Sequence, residues 1–375
     1  MTVDPSRPRA SRIAPFAPLV VLLALLLGGC LDADPRPSPE EVRRQLQRLI
    51  PASVPDRSGW AADIQAAFAA LDLDPSVENL CAVLAVTEQE STYTANPPVP
   101  GLGRIALKEI EDRAARYKVP AFVVRGALRL KSPNGEPWAD RIAAARTEKE
   151  LSDLFEEMIA KVPMGKRLLA RANPVRTGGP MQVSIAFAEA HAGERPYPYA
   201  VDGSIRREVF TRRGGMYFGI AHLLDYPASY DKPLFRFADY NAGRYASRNA
   251  AFQNAVAVAT GTALDLDGDL VRHRKRDKGA PSATETAVYA LADELGMPRE
   301  RIRDALEDGH RERFERSALY LGVYRIADAR NGKPLPRATL PRIRLQSPKI
   351  TRKLTTEWFA TRVNGRYRRC MAKAR

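Results

Sequence analysis

Apolar residues recur at helical spacing along most of the chain. Trp60, Ile64, Phe68 and Leu71 share one helical face, which predicts a helix over 58–71. Asp74-Pro75 opens the next, where Val77, Leu80, Cys81, Leu84 and Ala85 form an apolar stripe reaching towards Glu88. Before these, Ser38-Pro39-Glu40-Glu41 reads as a helix start, with Ser as N-cap, Pro in the first helical position and acids in the first turn. Helical text continues at Ile105–Tyr117, Trp138–Arg146 and Glu148–Val162, then at Met181–Ala192 and Met216–Leu224. Strand-like text is scarce before residue 315. Leu319–Ile326 and the Pro-punctuated stretch 334–350 are expected to add a little extended structure. The expected fold class is mainly α.

The first residues follow a different pattern. Arg7, Arg9 and Arg12 precede an apolar run from Ile13 to Leu27 that ends in Leu27-Gly28-Gly29-Cys30. A basic start, a short apolar core and small residues describe a secretory signal over 1–29, and the run is too short for a membrane span of about 20 residues. The Cys after two glycines resembles the lipobox of bacterial lipoproteins, which implies acylation at Cys30. Leu31 in place of Asp implies, by the same resemblance, the periplasmic face of an outer membrane. Residues 31–38 read as a tether, so 30–57 comprise the lipidated tether and first helix.

The chain of 375 residues is 45% hydrophobic and carries a net charge of +15, enough for one large domain or two modest ones. Residues 1–29 hold three Arg and one Asp, so the mature chain keeps +13. An excess of this size suggests an anionic partner. Outside the cytoplasm, peptide carboxylates of the cell wall and lipid headgroups are nearer candidates than nucleic acid. With Cys30 acylated, Cys81 and Cys370 remain, and they are either a disulfide pair or two buried thiols.

Four segments carry the candidate chemistry. They are Leu84-Ala85-Val86-Thr87-Glu88-Gln89-Glu90-Ser91-Thr92-Tyr93, Gly178-Gly179-Pro180-Met181-Gln182-Val183-Ser184, Gly215-Met216-Tyr217-Phe218-Gly219-Ile220-Ala221-His222-Leu223-Leu224, and Phe237-Ala238-Asp239-Tyr240-Asn241-Ala242-Gly243. In this order they resemble the soluble lytic transglycosylase family on the goose-type lysozyme-like fold. The resemblance covers 60–100 and 175–260. It implies a lysozyme-like domain over 58–262, interrupted by a helical insertion (101–172) and followed by a basic C-terminal extension (263–375). Asp239 stands where that family has Ala, and Pro180 where it has a small or aliphatic residue.

Protonating a glycosidic oxygen near pH 7 needs a carboxyl whose pKa is raised by apolar surroundings, and Glu90 ends an apolar helix. The resemblance implies Glu90 as the single acid and base, with Tyr240 donating its hydroxyl towards it. It further implies Ser91 shaping the site, Met181 and Gln182 lining a sugar cleft, Asn241 holding the turn that presents Tyr240, and Tyr217 behind the site. The implied reaction cleaves peptidoglycan glycan strands to 1,6-anhydro-muramic ends, without metal or cofactor. Two alternatives stand beside it. One is a non-catalytic wall-binding lipoprotein, and the other a muramidase directing water with Asp239 or Asp225. Asp265-Leu266-Asp267-Gly268-Asp269-Leu270 lacks an acid at the last position of a calcium loop and reads as an Asx-rich turn. The four histidines show no metal-ligand spacing. Nothing in the sequence sets an oligomeric state.

Overall fold

The computed structural model describes residues 1, 36–161, 164, 172–272, 280–345 and 354–375. The leader and Cys30 lie outside the described residues. Pro39–Arg375 form one compact unit. In chain order the described helices are α1 (Pro39–Leu49), α2 (Arg57–Ala70), α3 (Val77–Ser91), α4 (Leu102–Arg116), α5 (Ala121–Leu128), α6 (Trp138–Ala144), α7 (Glu148–Ala160), α8 (Ile185–Glu194), α9 (Ile205–Val209) and α10 (Arg212–Leu224). They continue with α11 (Pro233–Ala242), α12 (Ala246–Thr260), α13 (Ala283–Tyr289), α14 (Ala292–Leu295), α15 (Arg299–Glu307), α16 (Ala318–Asn331) and α17 (Thr356–Ala374). The described strands are two antiparallel pairs: β1 (Thr177–Gly178) with β2 (Val183–Ser184), and β3 (Arg344–Leu345) with β4 (Leu354–Thr355). The fold is mainly α.

Two hydrophobic cores organise the unit. The first is built around α3 and α10, whose residues Leu80–Thr87 and Gly214–Ala221 are buried on every face. Such helices are apolar all round because they must be surrounded. α2 covers α10, α1 covers α2, and α17 packs along both α3 and α11. The second core gathers Phe252 and Val256 of α12 with Val288, Ile302, Phe314, Leu319, Val323 and Tyr324. The stretch 263–375 is thus divided in its packing. Most of it builds the second core, while Phe359, Ala360 and Val363 of α17 return to the first. A disulfide between Cys81 of α3 and Cys370 of α17 closes that return, which resolves the two cysteines in favour of the pair.

Local chemistry sets the helix ends. Ser76, Ser184, Thr211 and Ser317 each accept a backbone N–H in the first turn of the helix they precede. Thr147 and Glu150 close a reciprocal capping box at α7. Two expectations are corrected. Leu319–Ile326 belongs to α16, because Leu319, Tyr320, Val323, Tyr324 and Ala327 bury one helical face, although Tyr320, Val323 and Tyr324 favour strands. The helix expected from Met181 begins at Ile185, since Met181 and Gln182 form the turn between β1 and β2.

Candidate active site around Glu90

The four segments of candidate chemistry meet in the first core. α3 touches α10 where the Thr87 hydroxyl lies 3.8 Å from the Met216 sulfur. The β1–β2 turn packs on the same face of α10. A Cβ on Gly215 would strike Pro180, and one on Gly219 would strike Met181. These glycines, four residues apart, let the turn sit directly on the helix backbone. α11 completes the group: the Tyr240 hydroxyl donates to the Met181 carbonyl at 2.6 Å.

Glu90 stands in the last turn of α3. Beyond it, Thr92 (φ 50°) and Tyr93 (φ 58°) occupy the left-handed region and fold the chain sharply back. Tyr93 is thereby buried edge-on against Trp60 of α2, ring centroids 5.6 Å apart, and donates to the Leu84 carbonyl at 3.2 Å. Ser91 holds this bend, donating to the Thr87 carbonyl at 3.2 Å and accepting from the Thr94 amide at 3.3 Å.

The Glu90 side chain keeps part of its surface open, yet its carboxyl is hemmed in by protein. Among the described residues it makes no hydrogen bond or ion pair. Burial, with a lesser contribution from the charge of Glu148, pushes its pKa up to about 8. Glu88, two residues earlier, faces the other way and pairs with Arg366 at 3.3 Å and Arg369 at 3.4 Å on α17. One acid of the pair is thus neutralised and the other is withheld from cations.

Glu148 is the site residue that sequence reasoning missed. It is buried at the first position of α7, inside the insertion. The loop after Glu90 brings it near: Pro98 bridges to Thr147, and the Val99 amide donates to the Arg146 carbonyl at 2.9 Å. The capping box in the sequence marks the start of α7, but nothing local signals that this start reaches α3.

Other expectations need correction. Tyr240 lies close enough to Glu90 for their charges to interact, and burial first, then that charge, raises its pKa well above the ordinary value. Its hydroxyl, however, is committed to Met181. The Met181 side chain is fully buried over Gly219, so only its carbonyl acts towards Tyr240. Tyr217, expected behind the site, is 1% exposed and packs in the core, where it meets His191 at 3.4 Å. Gln182 (φ 50°) clasps its own turn, donating to the Gly179 carbonyl at 3.2 Å. Asn241 lies within α11 and accepts from the Thr356 hydroxyl at 3.1 Å, tying α11 to α17.

Neither alternative acid is available as a partner for Glu90. Asp239 is buried and accepts from the Tyr230 hydroxyl (2.6 Å), the Tyr226 hydroxyl (3.3 Å), and the amides of Tyr245 (2.9 Å) and Ser247 (2.7 Å). It fastens the start of α12. Asp225 pairs with Arg195 at 3.3 Å. His222 lies against Tyr240, ring centroids 5.0 Å apart, and burial followed by the Arg244 charge lowers its pKa to about 4, so it stays neutral. The Asp265–Leu270 segment is a turn in which Asp267 accepts from the Asp269 amide at 2.9 Å and from Gln253 at 2.8 Å. Among the described residues no three His, Cys, Asp or Glu are grouped to hold a metal. A cavity of about 550 Å³ beside that turn, lined by Gln253, Asp265, Asp267 and Thr284, has walls that do not include Glu90.

Comparison with known proteins gives a family. No solved structure matches the chain. A protein of Escherichia coli (strain K12) named "Uncharacterized protein YaiW" is 52% identical over 366 residues, covering 96% of this chain and 99% of that one. The family model described as "Protein of unknown function (DUF1615)" matches residues 53–373, a stretch that runs through both cores and most of α17. The chain belongs to the DUF1615 family.

Proposed function

We propose that this protein is a peptidoglycan lytic transglycosylase in which Glu90 is both acid and base. The observation that carries the reading is the state of Glu90, a carboxyl at the end of a buried helix with no hydrogen-bond or ion-pair partner among the described residues, its pKa pushed up to about 8 by burial. Such a group holds its proton at neutral pH, the form needed to protonate a glycosidic oxygen. Once it has given up that proton, its carboxylate lies in surroundings that favour taking one back. It would withdraw the proton from the sugar C6 hydroxyl, closing the 1,6-anhydro ring without water. Tyr240, held by Met181, forms the wall beside it. The lipobox-like leader adds the location: acylation at Cys30 would hold the body at the periplasmic face of the outer membrane, within reach of glycan strands.

Hydrolysis is the second reading, and Glu148 is what favours it. Two carboxylates across a glycosidic bond can direct water, and Glu148 is the acid whose charge reaches Glu90. Digestion of purified peptidoglycan by residues 31–375, native and Glu90→Gln, tests both. Anhydro-muropeptides from the native chain alone are expected. Reducing ends without anhydro products would replace the first reading with the second. Release of nothing by either chain, with both still sedimenting with the wall, would replace both with a wall-binding role.

A further inference from the structure

The insertion carries a surface that the glycan site does not use. From Arg113 to Gly135 the chain contains no acidic residue, and it includes Arg116, Lys118, Arg125, Arg129 and Lys131. Interleaved with these cations are large apolar side chains left open to solvent: Tyr117 is 84% exposed, Phe122 72%, Leu130 65% and Val123 46%. α5 explains the pattern. Leu128 is buried and Val124 half-buried, so this i, i+4 pair anchors the helix to the first core. Phe122 and Val123 are thereby turned outward, although six of the eight residues in α5 are aliphatic or aromatic. Single exposed apolar residues are ordinary, but a run of them on one elbow forms a patch that calls for an occupant.

The charges identify that occupant. Arg113 and Arg116 reach Glu109, and Arg125 lies 3.7 Å from Glu111. Lys118, Arg129 and Lys131 make no ion pair among the described residues. A protein interface concentrates its apolar contacts at the centre with charge at the rim. Here cations and apolar tips alternate along the elbow. That arrangement suits a bilayer surface, where apolar tips enter the acyl boundary and long basic side chains extend back to phosphate groups. With eight residues, α5 is about 12 Å long, so it would lie along the surface. No described helix is long and apolar enough to cross a membrane.

We propose that the elbow 117–131 is a docking surface for an anionic lipid bilayer, with Tyr117, Phe122, Val123 and Leu130 in the headgroup–acyl boundary and Lys118, Arg125, Arg129 and Lys131 on lipid phosphates. The surface is independent of the glycan-cleaving reading and of acylation at Cys30. The compact body Pro39–Arg375, which carries neither leader nor acyl chain, isolates its contribution. It is expected to sediment with vesicles of equal parts phosphatidylglycerol and phosphatidylcholine, and weakly with phosphatidylcholine alone. Phe122→Ser combined with Leu130→Ser should weaken binding about tenfold, and Lys118→Glu combined with Arg129→Glu by at least about tenfold. Because all four positions are exposed, both double variants should keep the native circular dichroism and melting temperature. Vesicle binding that neither variant changes would overturn the proposal. So would absence of vesicle binding, and self-association lost in Phe122→Ser would then assign the face to a second copy of the chain.

Discussion

Glu90 in the first core and Glu285 in the second are the same residue type, each set among protein atoms near a helix end, and they titrate in opposite directions. Glu285 receives the Arg303 guanidinium at 2.7 Å on both oxygens, the Tyr289 hydroxyl at 2.5 Å and the Ser282 amide at 3.3 Å. Burial alone would raise its pKa, but these donors outweigh burial and pull it below the usual range. Glu90 has no donor among the described residues, and burial pushes it up to about 8. Burial by itself therefore does not distinguish a structural acid from a reactive one. The balance between burial and donors sets the direction: at Glu285 the donors win, at the buried Asp239 burial still raises the pKa despite four hydrogen bonds, and at Glu90 burial acts almost alone.

Substitutions at the two acids should separate these roles. The largest effect is expected for Glu90→Gln, which should lower release of glycan products by about a hundredfold to ten-thousandfold without lowering the melting temperature, and should raise it at neutral pH, where Gln removes the cost of a buried carboxyl. A parallel fall in melting temperature would make Glu90 a structural acid and erase the contrast. Glu285→Gln should do the reverse. It removes the charge that Arg303, whose side chain is 11% exposed, pairs with at 2.7 Å and leaves it only the exposed Glu307 at 3.1 Å, so a loss of about 2 kcal/mol in a urea titration is expected with activity per folded molecule unchanged.

The pH dependence of stability should carry both signatures. Folded Glu90 binds its proton more tightly than the unfolded chain does, so unfolding free energy falls as pH rises from about 4.5 to about 8. Glu90→Gln should flatten that decline. Folded Glu285 binds its proton less tightly, so its contribution is present above the ordinary carboxylate range and is lost on acidification through its lowered value. Glu285→Gln should remove that acid-side loss. The smallest effect belongs to the tyrosines. Tyr240→Phe and Tyr289→Phe each remove one hydrogen bond worth about 1 kcal/mol, and only the first should also lower glycan release.

Much of this arrangement was legible before the fold was known. The spacing of Trp60, Ile64 and Phe68 placed α2, and Ser38-Pro39-Glu40-Glu41 placed α1, because periodicity and capping are local properties. Glu90 stood out for the same reason, as an acid closing an apolar run. What escaped was non-local. Glu148 reaches Glu90 only through the pairing of 98–99 with 146–147. Met181 carries a side chain suited to a cleft, but the closeness of the turn to Gly215 and Gly219 buries it. α16 was hidden by its own composition, since Leu, Tyr, Val and Ile in succession also describe a strand.

The link between Cys81 and Cys370 spans 289 positions of sequence. A ribosome adding about 5–20 residues per second makes the second thiol roughly 15 to 60 seconds after the first. Throughout that interval the helix carrying Glu90 exists without its covalent partner and without the α17 surface that flanks it. The packing around Glu90 is therefore completed late in the life of a new chain. A message broken before codon 370 would yield a protein whose Cys81 lacks the partner it has in the full chain, a chemical mark that distinguishes the incomplete product from the finished one.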